Sequence, residues 1–354
     1  MGSKLFFNSE AIKPQKSDPG GTLTCITQDE MPGLVNISFA VLKLKKGGSQ
    51  EPIWHPNAHK IGYCLSGSAL VSIRSPNGVD LFTIKEGDMF FIQKGYIHHI
   101  ANLGEKETTI SFALSDTKPQ TMCLAKAIYS LSDDVFATTF GSSSDFYEGL
   151  TKSKKQEFIK TLTSIKDAPT CISSRFKFNI VASSKPVQTP GGYLQLGTKT
   201  NLPVLEGLGI LRFGLNPKGI VEPHWHTNAG ELVYIVKGQT RITVLSPDGN
   251  VESLQVNGGQ GAFAPASHFH NIENVGQDDV EVIAFFSHAE PDYIGIGEVI
   301  GSYSNEILGS VFNVSSDYFN NFQKPKGPLV IVPVDKQTSP NKEVRGKVSK
   351  STYE

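Results

Sequence analysis

Apolar residues come in short runs, and turn-forming residues separate them. Ile61-Gly-Tyr-Cys-Leu65 and Ala69-Leu-Val-Ser-Ile73 flank Ser66-Gly67-Ser68, and Leu232-Val-Tyr-Ile-Val236 stops at Gly238. Short runs of this kind, bounded by Gly, Ser and Pro, predict strands. Ser75-Pro-Asn-Gly78 and Ser246-Pro-Asp-Gly249 carry the Asn-Gly and Asp-Gly signals of tight hairpins. Many short strands separated by such turns predict an all-β sandwich or barrel. Two stretches read as helical instead, roughly Ser130 to Leu162 and Ser304 to Phe322.

The pattern occurs twice. Gly20-Gly-Thr-Leu answers Gly191-Gly-Tyr-Leu, and Glu51-Pro-Ile-Trp-His55-Pro-Asn-Ala answers Glu222-Pro-His-Trp-His226-Thr-Asn-Ala, 171 positions on. After the hairpin at Gly249 the offset becomes 172, so that Asn102 answers Asn274. A repeat this long predicts two similar domains, not a solenoid, whose units run to roughly 20–50 residues. The expected division is residues 1–165, a connector at 166–190, residues 191–335, and a flexible tail at 336–354 rich in Lys, Ser and Thr.

Composition narrows the function classes. The chain has 354 residues, 38% hydrophobic and 19% charged, with a formal net charge of −1. No overall field draws it to nucleic acid or to an anionic membrane. Cys25, Cys64, Cys123 and Cys171 are far apart and form no CxxC pair, so no disulfide framework is expected. Cys64, inside an apolar run, reads as a core residue. No secretory signal is read at the N-terminus, and no apolar run is long enough to span a bilayer, so a cytoplasmic protein is expected.

The second copy carries the chemistry. His224 and His226 are one residue apart, so on an extended strand they face the same way. Glu231 follows at the start of the Leu232–Val236 run, and His270 comes later, after Pro265. Three imidazoles and a carboxylate suit manganese, iron, nickel or zinc. His268, two residues before His270, is a candidate acid/base group or a hydrogen-bond donor behind the ligands. In the first copy His55 and His98 stand for His226 and His270, but Ile53 replaces His224 and Lys60 replaces Glu231. An ammonium group beside a dication is strongly repulsive in a dry site. The expectation is therefore one divalent ion per chain, held in the second copy. His59 is the neighbour of Lys60 and should face the opposite side of its sheet. Lys60, His55 and His98 together read either as a relic of packing or as a small cationic pocket for an anionic ligand.

The spacing Gly219-x4-His224-x-His226-x4-Glu231-x6-Gly238, followed by Gly259-x5-Pro265-x4-His270-x3-Asn274, resembles the two signature motifs of the cupin superfamily. The words around His224 resemble most the oxalate decarboxylase and germin-like type of two-domain cupin. The resemblance implies two tandem double-stranded β-helix (jelly-roll) barrels, each followed by a short helical segment. It implies manganese on His224, His226, Glu231 and His270, a small carboxylate ligand, and a homo-oligomer. In that family an arginine three residues before the first metal histidine grips the substrate; here the position is Val221. Arg212 or Arg241 could substitute by pointing inward. A lid-loop glutamate donates the proton in the family, and the nearest loop here offers Glu290 and Asp292. With Val221, Asn228 and Phe263 are candidate pocket residues. The implied function is a metal-dependent decarboxylase or oxidoreductase acting on a small carboxylic or oxo acid. The alternative is a non-enzymatic storage or ligand-binding bicupin that keeps a metal for structure.

Overall fold

The computed structural model describes residues 3–142, 144–151, 157–162 and 173–335. The expected tail 336–354 and part of the connector lie outside the described residues. Each copy folds into two facing antiparallel sheets. In the first copy one sheet runs Lys177–Asn179, Asp88–Ile92, Lys60–Ser66, Thr108–Leu114, Ser38–Leu44, Gly21–Ile26 and Lys16–Asp18. Its partner sheet carries Ile53–Trp54, Ile97–Ala101, Gly48–Gln50 and Ile159–Thr161, with Ser68–Ser75 and Gly78–Lys85 alongside. The second copy repeats this order with Glu231–Lys237, Val280–Phe286 and Gly209–Leu215 at the centre of one sheet and Gly219–Trp225 and Phe269–Asn274 in the other.

The runs on either side of Gly67 do not form a hairpin. Lys60–Ser66 and Ser68–Ser75 belong to different sheets, and Gly67, at φ +78°, turns the chain from one sheet to the other. Gly238, at φ +92°, does the same in the second copy. A left-handed backbone costs glycine little, which explains its presence at both corners. The one-residue slip in the repeat is local. Ser75 pairs directly with Gly78, whereas the second hairpin is longer and Leu245 pairs with Val251.

Strand pairing crosses the expected domain boundaries in both directions. Phe6–Asn8 adds to the second barrel by pairing with Gln260–Ala262. Lys177–Asn179, from the expected connector, adds to the first barrel by pairing with Asp88–Phe90. One apolar core runs through the junction, where Phe39 contacts Phe7, Tyr234 and Phe285 at ring-centroid distances of 5.3, 4.9 and 5.6 Å. A second core fills the first barrel around Phe82, Phe90 and Phe112. Cys64 is buried in that core.

The helical stretches are broken into short segments and begin earlier than the sequence suggests. The first holds Asp133–Phe140 and Ser144–Thr151 and is preceded by a further helix, Leu124–Tyr129; the second holds Asn305–Phe312 and a 3₁₀ turn at Ser316–Phe319 and is preceded by Ile296–Ser302. The expected helix through Leu162 is corrected at its end. Ile159–Thr161 is a strand paired with Gly48–Gln50, and its counterpart Ile331–Pro333 pairs with Gly219–Val221. Tertiary pairing overrides the helical pattern there. The returning strands also explain the repeated Gly-Gly: a Cβ on Gly20 would sit 2.2 Å from the Lys160 carbonyl oxygen, and one on Gly191 would sit 2.5 Å from the Val332 carbonyl carbon.

Candidate metal centre

Along Gly219–Trp225 the side chains alternate, so that His224 faces the barrel interior and Trp225 does not. His226 lies just past the strand end and turns inward again. Glu231 opens the next strand, and His270 lies opposite His224 in the antiparallel register. All four are buried, at 2 to 3% exposure. Their ligand atoms lie within 4.8 Å of one another. Glu231 Oε2 is 2.8 Å from His270 Nε2, 3.1 Å from His226 Nε2 and 3.7 Å from His224 Nε2. Donors held 2.0–2.2 Å from one ion at right angles lie roughly 3 Å apart, so the set has the dimensions of a coordination shell.

The outer face of each ring fixes its tautomer. His224 Nδ1 donates to the Glu222 carbonyl and His270 Nδ1 to the His268 carbonyl, both at 2.7 Å, and His226 Nδ1 donates to the Asp292 carbonyl. A carbonyl oxygen can only accept, so the proton sits on Nδ1. Three Nε2 lone pairs and a carboxylate oxygen then face one another with no hydrogen between them. A divalent cation at their centre turns that repulsion into attraction, and the residues fit such an ion. Burial, with His270 close by, lowers the His224 pKa to about 4.

Beside the four ligands lies a cavity of about 40 Å³, lined by Leu194, Leu211, Phe213, Val221, Phe286, Tyr293, Val330 and Ile331. One water needs about 10–15 Å³ of such space, so only a few atoms fit without movement. Tyr293 stacks on His224 at a centroid distance of 4.6 Å, and its hydroxyl donates to Glu222 Oε1 at 3.3 Å. Burial, and next the Glu222 carboxylate, push the Tyr293 pKa far up, so the hydroxyl keeps its proton. Glu222 also accepts from the backbone N–H groups of Leu329, Val330 and Gly297 at 2.7, 2.9 and 3.2 Å. It thereby ties three chain segments around the centre. Neither Glu222 nor Tyr293 was a candidate from the sequence. The only trace of Glu222 is its recurrence as Glu51 in the repeated word.

Several expected site residues are elsewhere. The Glu290 carboxylate accepts from the Thr200 N–H, and that of Asp292 from the Thr227 hydroxyl; neither lines the cavity. His268 acts through its carbonyl, since its own Nδ1 donates to the Ala266 carbonyl at 3.1 Å. Asn228 is an exposed fastener: its amide donates to the Glu290 carbonyl at 3.0 Å and accepts from the Asp292 N–H at 2.9 Å. Phe263 is fully buried against Gly230, outside the cavity lining. Arg212 and Arg241 do not point inward. Arg212 pairs with Glu281 at 2.9 Å and Arg241 with Glu273 at 2.6 Å. Val221 does line the cavity, and no arginine or lysine lies among the described residues around it.

In the first barrel Ile53 lies opposite His98, and Lys60 opens the strand that corresponds to Glu231. His55 and His98 keep a ring-centroid distance of 5.7 Å, the same as His226 and His270. Lys60 Nζ lies 3.3 Å from His98 Nε2 and 4.1 Å from the centre of the Phe112 ring. His59 faces away, stacked on Phe91 and 3.8 Å from Glu206, as strand alternation requires.

Two barrels of this topology, one holding three histidines and a glutamate, define a bicupin, and the chain belongs to the cupin family, whose pattern matches residues 7–146 and again 178–317. Among individual proteins it is similar to oxalate decarboxylase OxdC of Bacillus subtilis (strain 168), 24% identical over 326 residues that cover 88% of this chain and 83% of the relative. It is also similar to a germin-like protein 2-3 of Oryza sativa subsp. japonica, 32% identical over 130 residues, or 34% of this chain and 58% of that protein. The B. subtilis decarboxylase, solved in work on its Mn(II) centres, superposes with a TM-score of 0.82 at 22% identity, covering 94% of this chain and 90% of that one.

Proposed function

We propose that the chain is a metal-dependent enzyme of the oxalate decarboxylase-like type, with manganese at its second barrel, acting on a small, singly charged carboxylic or oxo acid. The convergence of three proton-free Nε2 atoms on Glu231 Oε2 carries the reading. The ion, when bound, would supply a Lewis acid with open coordination positions for a carboxylate or oxo oxygen. The chain supplies the rest. Glu222, His268 and Asp292 orient the ligand rings through their carbonyls, and Leu211, Phe213, Phe286 and Val221 exclude water. Tyr293 stacks on His224, and its hydroxyl, donating to Glu222 Oε1, fixes the ring beside the centre. Val221 in place of a cation supports a substrate with one charge rather than two.

A second reading has one observation in its favour. The candidate acids Glu290 and Asp292 are tied to Thr200 and Thr227, outside the cavity. A ligand-binding bicupin without turnover would need no proton donor there. The test is an aerobic screen of manganese-loaded protein against small carboxylic and oxo acids, following carbon dioxide, formate and peroxide. Turnover that disappears in His224→Ala supports the enzyme. Binding without product from any acid supports the second reading.

A further inference from the structure

The first barrel contains its own cavity, of about 110 Å³, at the place that corresponds to the metal centre. Apolar cavities of roughly 150 Å³ take up molecules the size of benzene, so this one has room for a smaller organic molecule. Part of its wall is apolar, with Leu23, Ile53, Phe112 and Phe158. The rest is polar and buried: Lys60 is 5% exposed, His55 7%, Gln50 2% and Ser38 0%. His55 Nε2, Gln50 Oε1 and Ser38 Oγ are buried without a hydrogen-bond partner. A buried polar atom left unpaired costs free energy, so three around one cavity point to a missing occupant.

The donor and acceptor pattern defines that occupant. His55 Nδ1 lies 2.9 Å from the Gln120 carbonyl, so it carries the proton and Nε2 presents a lone pair. His98 Nδ1 likewise donates to the Tyr96 carbonyl, and its Nε2 accepts from Lys60. Among the described residues Lys60 makes no ion pair; besides donating to His98 it faces the Phe112 ring. The cavity therefore offers the Lys60 amine, which an incoming acid can protonate, acceptors at His55 and Gln50, and an apolar wall. We propose that the first barrel is a metal-free binding site for a small 2-hydroxy monocarboxylic acid, its carboxylate on Lys60 Nζ and its hydroxyl donating toward His55 Nε2. Ile53 and Lys60, which remove two of the four metal ligands, are then the residues that turn a metal site into an organic-acid site. This assignment does not depend on turnover in the second barrel.

The test is calorimetric titration of the full-length protein with lactate, propionate and lactamide. In the full-length His224→Ala/His270→Ala protein, whose second barrel lacks two of its four ligands, lactate should bind at submillimolar concentration with one site per chain, propionate more weakly for want of the hydroxyl, and lactamide more weakly still for want of the charge. Lys60→Met, close in volume to lysine, should weaken lactate at least tenfold, while His224→Ala with His270→Ala should leave this site intact. Thermal melting of each variant checks that it is folded. Absence of lactate binding at 10 mM, or equal binding by Lys60→Met, overturns the proposal. Loss of binding only in the His224/His270 variant would place the acid on the second barrel and overturns it as well.

Discussion

Oxalate should be a poor substrate, and Val221 is the reason. The Val221 side chain lines the cavity beside His224 and is 7% exposed. Oxalate bound to an ion through one carboxylate would press the other against Val221, Leu211 and Phe213, with no cationic side chain among the described lining residues. A buried, unpaired charge costs several kcal/mol. Taking ~3 kcal/mol at ~1.4 kcal/mol per tenfold gives a penalty of roughly a hundredfold in affinity. Pyruvate, with a neutral distal end, avoids it. The assay compares kcat/KM for oxalate and pyruvate, or Kd where there is no turnover, in manganese-loaded wild type and Val221→Arg. We predict preference for pyruvate in the wild type and a shift of about tenfold or more toward oxalate in the variant, with thermal melting confirming that it folds. Oxalate used as well as pyruvate by the wild type would refute the reasoning, because a cation would then have to reach the cavity by a route the structure does not show.

Three further predictions follow from buried polar groups and exposed apolar ones. Glu222→Ala strands the N–H groups of Leu329, Val330 and Gly297, and should lower unfolding stability by about 3 kcal/mol or more; an unchanged denaturation midpoint would contradict the role given to Glu222. Burial lowers the Lys60 pKa from 10.5 to about 7. The unfolded chain therefore holds that proton between pH 7 and 10.5 while the folded chain does not, and stability rises with pH across that window. Lys60→Met should be more stable than wild type at pH 7, on the order of a few kcal/mol, with the gap closing toward pH 10.5; a gap that stays constant would contradict the burial of a titrating amine. Finally, Val135, Phe140, Ile307, Val311 and Phe312 are exposed on the helical segments. We expect them to mediate self-association, visible as a mass above 38.4 kDa in light scattering; a monomer at all concentrations would refute it.

The parts of the fold legible in the sequence were those written as local words. His224, His226, Glu231 and His270 stand at fixed spacings because each follows from where a strand begins, ends or faces. Ile53 and Lys60 were legible for the same reason, by laying one copy on the other. What was hidden depends on partners far along the chain. Ile159–Thr161 looked helical and became a strand because Gly48–Gln50 offered it an edge. Phe6–Asn8 and Lys177–Asn179 carry no local sign that each belongs to the other copy's barrel. Loop position marks Glu290 and Asp292 as candidate acids, but position does not reveal that Thr200 and Thr227 hold them. Asn274 closes the metal motif but serves the architecture, donating to the Leu215 and Asp278 carbonyls at 2.9 Å each.

The central claim is that one barrel holds an ion and the other does not. It is tested most directly by elemental analysis of the purified full-length chain, compared with His224→Ala/His270→Ala and with His55→Ala/His98→Ala. The account predicts one divalent ion per chain in the wild type, none in the first variant and one in the second. Two ions per chain, or an ion that survives His224→Ala/His270→Ala, would contradict it.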